Sequence, residues 1–132
     1  MDFTLETLEV YLLSESFSDE IWAIVENWDV FKKKTIGEQL VRAADSISAN
    51  IAEGYGRYYY NESKQFYFYS RGSILETKSW LSKLMRRKIV DEKLCAELIV
   101  QTETILRKLN SYIKFVATSQ KRSGAKRRAD NK

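Results

Sequence analysis

Residues 35–57 read TIGEQLVRAADSISANIAEGYGR. Within them Ile36, Leu40, Ala43 or Ala44, Ile47, Ile51 and Tyr55 recur three or four positions apart. That is the period of one face of an α-helix and is incompatible with the alternation of a strand. Thr35 and Glu38 have the spacing of a capping box, in which a hydroxyl and a carboxylate satisfy each other's free backbone amides, so the spacing predicts a helix start at Thr35. Gly54 and Gly56 mark its end.

The same period extends outward in both directions. Upstream, Val10, Leu13, Phe17, Ile21, Ile24 and Trp28 form one stripe, predicting a helix over roughly residues 4–29 before the Asp29–Lys34 stretch interrupts it. Downstream, Tyr67, Ser70, Ile74, Thr77, Leu81 and Leu84 follow a candidate cap at Asn61. Asp91 stands ready to cap a last helix carrying Leu94, Leu98, Thr102, Ile105, Leu109, Tyr112 and Val116. Helices of about 22–28 residues are roughly 33–42 Å long. Four of matched length, joined by short turns, predict an all-α, antiparallel up-down-up-down four-helix bundle. The chain contains no proline, which suits long uninterrupted helices. The bundle is expected over 1–118 and a basic, disordered tail over 119–132.

Composition limits the classes of function. One cysteine, Cys95, rules out an internal disulfide and fits a reducing compartment. No apolar run approaches the length of a membrane span, and Asp2, Glu6 and Glu9 stand where a signal peptide would be basic, so the expected location is the cytoplasm. The net charge of +4 is unevenly distributed. Residues 119–132 hold six basic side chains and one acidic, a net +5, while the other 118 residues hold 16 basic and 17 acidic, a net −1.

A second, polar stripe runs along the 35–57 helix: Gln39, Arg42, Ser46, Asn50, Glu53 and Arg57. Arg71, Gly72, Ser73 and Glu76 add to it from the next helix. Charges near a helix interface need partners, since burying them alone is expensive. Glu53 and Arg57 are an i,i+4 pair, and Arg42, Glu53, Arg71 and Glu76 suggest a network between helices. Two readings follow, a network that fixes helix register, which is favoured, or a ligand or catalytic site.

RAADSISANIAEGYGR (Arg42–Arg57), the Phe66 region and RGSILET (Arg71–Thr77) resemble the four-helix-bundle proteins named for the intervening sequence of bacterial 23S ribosomal RNA genes. The accessory variability determinant of diversity-generating retroelements is similar to the same group. The resemblance covers roughly residues 5–117. It implies a homo-oligomeric ring, commonly a pentamer, and, for the retroelement branch, binding to nucleic acid and to a reverse transcriptase. The residues that match the family, Arg42, Ser46, Asn50, Glu53, Gly54, Arg57, Arg71, Gly72, Ser73 and Glu76, are read as structural. The retroelement branch has strongly basic surfaces, whereas the body of this chain is −1, so the expectation of phosphate contact moves to the tail.

Chemistry is constrained by a single absence: the chain has no histidine. Di-metal bundle centres draw on Glu-x-x-His motifs, and Ser–His or Cys–His nucleophile pairs need the imidazole, so no catalytic residue, metal or cofactor is expected. Cys95 shares helical spacing with Ile99, Leu106 and Ile113 and reads as a packed thiol. The turn Gly54-Tyr-Gly56-Arg57 lacks the lysine-and-hydroxyl ending of a phosphate loop and follows a helix. Lys121, Arg122, Lys126, Arg127 and Arg128 are the candidates for RNA or DNA contact, because flexible cations gain affinity by releasing counterions from phosphates. The runs Lys32–Lys34 and Lys83 with Arg86–Lys88 read as solvated loop charge. Seven aromatics between Tyr58 and Tyr69 suit either base stacking or, as favoured, a subunit interface. The leading expectation is a nucleic-acid-binding accessory protein. The alternative is an assembly or protein-interaction scaffold.

Overall fold

A computed structural model describes the backbone of residues 4–130 and the side chains of residues 4–120. Four helices dominate: α1 (Glu9–Val25), α2 (Glu38–Tyr55), α3 (Tyr60–Arg86) and α4 (Glu92–Asp130). No strand occurs among the described residues. Each helix packs on its neighbours in sequence and α4 closes back on α1, with the α2–α3 contact the most extensive. The short connections, residues 26–29, 56–59 and 87–91, hold sequential helices antiparallel.

The expected apolar stripes are the core. Phe17, Ile21, Leu40, Ile47, Ile51, Ile74, Leu81, Leu84, Leu98, Ile105 and Leu109 are all buried. Each such side chain contributes roughly 1.5–3 kcal/mol relative to exposure. The hydroxyls at core positions are not stranded. Ser14, Thr77 and Thr102 donate to carbonyls one turn back in their own helices. Ser70 donates instead across the bundle to the carbonyl of Ile47, at 2.7 Å. A small side chain there lets α3 lie close to α2, and its hydrogen bond satisfies the buried hydroxyl.

Helix boundaries differ from expectation in three places. The first helix proper begins at Glu9, after a 3₁₀ turn at Leu5–Thr7, and ends at Val25. The second does not start at a Thr35 capping box. A short α-turn, Val30–Lys32, and a π-turn, Lys33–Gly37, run directly into α2. The cap is Asp29, whose carboxylate accepts from the Lys32 amide at 3.0 Å. Thr35 sits inside the turn, donating to the Phe31 carbonyl at 2.7 Å, and the Glu38 amide that it would cap is already bonded to the Lys33 carbonyl. Aspartate caps at least as well as threonine, and lysines are good helix formers, so the lysine run is helix rather than loop. Third, α3 begins at Tyr60 with Tyr59 as its cap residue, and Asn61 lies within the first turn.

The Asp91 cap forms as expected, accepting from the Leu94 amide at 3.2 Å. At the turn before it, Lys88 has φ 56°, the left-handed conformation. The Ile89 amide bonds to Leu84 O at 3.0 Å and the Lys88 amide to Met85 O at 3.2 Å, the paired bonds of a Schellman motif.

The backbone of α4 is helical to Asp130, where the sequence reading places a disordered tail. No proline follows Thr118, and lysine, arginine, glutamine and alanine all favour helix. The side chains of Lys121, Arg122, Lys126, Arg127 and Arg128 lie outside the described residues.

Candidate functional site

The polar stripe of α2 faces outward. Arg42 bonds Glu38 in its own helix at 3.1 Å, and both side chains are more than half exposed. Ser46 donates to the Arg42 carbonyl at 2.7 Å, and Asn50 donates to the Ser46 carbonyl at 2.8 Å. Glu53 and Arg57 form the expected i,i+4 pair, at 3.8 Å. Arg71 stacks over the Phe68 ring, 4.5 Å from its centroid, and Glu76 is exposed. The structure therefore does not bring Arg42, Glu53, Arg71 and Glu76 together, and among the described residues no ion pair joins α2 to α3. Groups that reach their partners by i,i+4 geometry have no need to cross the interface.

A polar group between helices does exist, one interface over. Glu15 on α1 accepts from the Tyr11 hydroxyl at 2.6 Å and from Ser48 on α2 at 3.3 Å. Ser18 on α1 donates to the Asp45 carboxylate on α2. The Tyr11 hydroxyl is held above its ordinary pKa, first by that bond to Glu15 and then by burial. Serines at the otherwise apolar core positions 14 and 18, with Glu15 between them, were the available signal. The Ser48–Glu15 and Ser18–Asp45 bonds tie α1 to α2 at a fixed register.

Tyr67 and Tyr112 meet in the core, ring centroids 5.4 Å apart and nearly perpendicular. Burial raises the pKa of Tyr67 far above its ordinary value, and the Tyr112 hydroxyl adds to this. Burial raises the Cys95 thiol, with Asp91 adding a smaller push. The thiol is fully buried, so Cys95 has neither the thiolate nor the access that a nucleophile needs. Among the described residues no group of three or more His, Cys, Asp or Glu is placed to hold a metal ion. Nor is any helix among them long and apolar enough to cross a membrane.

The aromatic segment divides. Tyr67 enters the core, whereas Tyr58, Tyr59, Phe68 and Tyr69 are exposed at the α2–α3 turn and along α3. Arg57 lies over Phe66 at 4.7 Å, so guanidinium and ring are already stacked on each other. Between α1 and the start of α2 lies a groove of about 440 Å³, lined by Trp22, Val25, Gly37 and Val41.

Comparison with known proteins locates this architecture. Residues 6–111 match the family described as 23S rRNA-intervening sequence protein. Among solved structures, the chain is similar to a protein of unknown function from the S23 ribosomal protein family of Bacteroides thetaiotaomicron. The TM-score is 0.72 at 22% identity, covering 80% of this chain and 98% of that one. At that identity the likeness is one of fold. No curated protein matches the chain.

Proposed function

The chain belongs to the 23S rRNA-intervening sequence protein family, and from that premise we propose that it is a non-enzymatic, self-associating accessory protein that binds nucleic acid through its C-terminal basic segment. The observation that carries this reading is the segregation of charge. Six cations and one anion lie in residues 119–132, against a body of net −1. Phosphate contact needs concentrated cations, and this segment is where the chain concentrates them. The stripe on α2 does not serve, because Arg42 and Arg57 are already matched with Glu38 and Glu53.

A contact of this kind reads phosphate and not base, so it should be steeply salt-dependent and indifferent to sequence. With all six cations engaged, affinity for duplex DNA falls by roughly 10³-fold between 50 and 200 mM salt. The test is fluorescence anisotropy with a structured RNA and a DNA duplex at those two salts, using the intact chain and one ending at residue 118. Binding that is salt-steep and lost with the segment is the expected result. Binding that survives truncation, or no binding at the lower salt, refutes the reading and favours a protein-interaction scaffold.

A further inference from the structure

The fold accounts for most of the aromatic side chains between Tyr58 and Tyr69. Tyr67 is in the core, and Tyr60 is half-buried in the first turn of α3. Phe66 is covered by the Arg57 guanidinium, and Phe68 by Lys64 and Arg71. Tyr69 is set edge-on against Phe66, and its hydroxyl accepts from Gln65 at 2.8 Å. Tyr58 and Tyr59 are left over. They are 84% and 66% exposed, and their rings meet edge-on at 5.0 Å, an arrangement that leaves ring faces open to solvent.

Helix capping explains neither residue. Tyr59 holds the N-cap position of α3, where serine, threonine, aspartate or asparagine would satisfy a free amide, and its side chain makes no cap bond. A turn that forgoes its cap and holds two large rings in water breaks local rules, and such breaks collect at functional positions.

The neighbourhood of the pair points to its ligand. Tyr67 on α3 meets Tyr112 on α4, and the two helices run antiparallel from that contact. Seven residues back along α3 is Tyr60, and seven onward along α4 is Ser119. The segment with six cations and one anion therefore begins level with the two tyrosines. Its helical backbone continues to Asp130, roughly 16 Å further at 1.5 Å per residue. Of the acids next to the turn in sequence, Glu53 is paired with Arg57, and Glu62 is outnumbered by the cations of the segment. Open aromatic rings beside concentrated cations suit an unpaired nucleic-acid strand, whose phosphates take the cations while its base faces take the rings. In a duplex the base faces are covered by their neighbours, and no ring reaches them.

We propose that Tyr58 and Tyr59 form a stacking platform for bases of a single-stranded segment whose phosphates are held by residues 119–132. This rests on the nucleic-acid reading above and adds to it a preference for unpaired strands. Every base has a π-face, so the ligand is defined by strandedness and not by sequence.

The test is fluorescence anisotropy of the full-length chain at 50 mM salt with three probes: an oligodeoxythymidine strand, an abasic strand of the same length, and a duplex. The wild type should bind the thymidine strand at least roughly tenfold more tightly than the abasic strand. Tyr58→Ser and Tyr59→Ser together should remove that difference and leave affinity for the abasic strand and the duplex unchanged. Serine at position 59 can cap α3, so this variant should fold, and a circular dichroism melt checks it. Tyr69→Ser, which removes an exposed ring already engaged with Phe66 and Gln65, should leave all three affinities as they were. A full-length chain combining Lys121→Gln, Arg122→Gln, Lys126→Gln, Arg127→Gln and Arg128→Gln should lose all three probes. A wild type that does not distinguish thymidine from abasic strand, or a folded double variant that keeps the distinction, overturns the platform and leaves the phosphate reading standing. A double variant that sediments as a smaller species than the wild type places the tyrosines between copies and overturns the platform as well. A glutamine-substituted chain that binds as the wild type does overturns the phosphate reading on which the proposal rests.

Discussion

Gly54→Ala is the substitution that tests the α2–α3 packing most directly. A Cβ at residue 54 would stand 2.6 Å from Tyr67 Cε1, 2.9 Å from Cδ1 and 3.0 Å from the carbonyl oxygen of Ser63. None of these atoms can give way cheaply. The Tyr67 ring is only 2% exposed and is set edge-on against Tyr112, and the Ser63 oxygen belongs to the backbone of α3. Overpacking by a methyl group costs about 1–3 kcal/mol. Against this, alanine gains about 1 kcal/mol over glycine in a helix interior. Because the obstacles are a core ring and backbone, the cost falls in the upper part of its range and wins. The expected net loss is about 1–2 kcal/mol, a fall in Tm of roughly 4–8 °C for a chain of this size. Urea unfolding, followed by circular dichroism in dilute solution, should show a lower midpoint at unchanged slope. Gly72→Ala is the control. Its Cβ meets nothing, so the same substitution should raise the stability of the dilute protein by about 1 kcal/mol. If Gly54→Ala matches or exceeds the wild type, α2 and α3 are not packed as described and the reasoning fails.

Two further predictions concern helix ends. Lys88→Gly removes a side chain from a left-handed position at the end of α3 and should stabilise the fold by roughly 1 kcal/mol in the same urea assay; a lower midpoint would mean that the Lys88 side chain contributes more than its strain costs. Asp29 is held below the usual carboxylate range, first by the hydrogen bond from the Lys32 amide, so its charged form stabilises the folded state. That contribution is present above the ordinary aspartate pKa and lost as pH falls through the depressed one. The Tm difference between wild type and Asp29→Asn should therefore be steady from neutrality to about pH 5 and shrink below about pH 4, and a gap that does not change with pH would contradict this account of the cap.

The sequence made the fold legible because the apolar period is long and repeated. Residues 40, 44, 47 and 51 specify which face of α2 is buried, and similar stripes do so for the other helices. It was less informative about boundaries. Thr35–Glu38 satisfied a capping pattern, but Asp29 offered a competing cap six residues earlier, and local spacing alone does not rank the two. The polar stripe misled in a different way. Arg42, Glu53, Arg71 and Glu76 lie beside the apolar stripes, so a network between helices was a reasonable expectation. Helical spacing gave Arg42 a partner at Glu38 and Glu53 a partner at Arg57, just past the end of α2. Between α1 and α2 the side-chain bonds join Glu15, Ser18, Asp45 and Ser48, whose serines look in sequence like interruptions of the core, and the ion pairs between helices are Lys78–Glu103 and Lys108–Glu9 among the described residues.

The outward polar stripe also bears on how charge is allotted along the chain. Exposed i,i+4 pairs such as Arg42–Glu38 add only about 0.3–0.5 kcal/mol, so these residues contribute little to the stability of one copy. What they set is the charge pattern that a neighbouring surface meets. A body of net −1 lets copies approach without repulsion, and a body carrying the +5 of residues 119–132 would not. Confining the cations to the end of the chain separates the two requirements. On the proposed function, each self-associated copy would bring one basic segment to a shared ligand, so that weak phosphate contacts would add by avidity. The two contacts of that proposal would differ in their response to salt: counterion release weakens a phosphate contact steeply, while burial of apolar surface between copies would be barely affected. Raising the salt concentration should therefore strip nucleic acid from an assembly that remains intact.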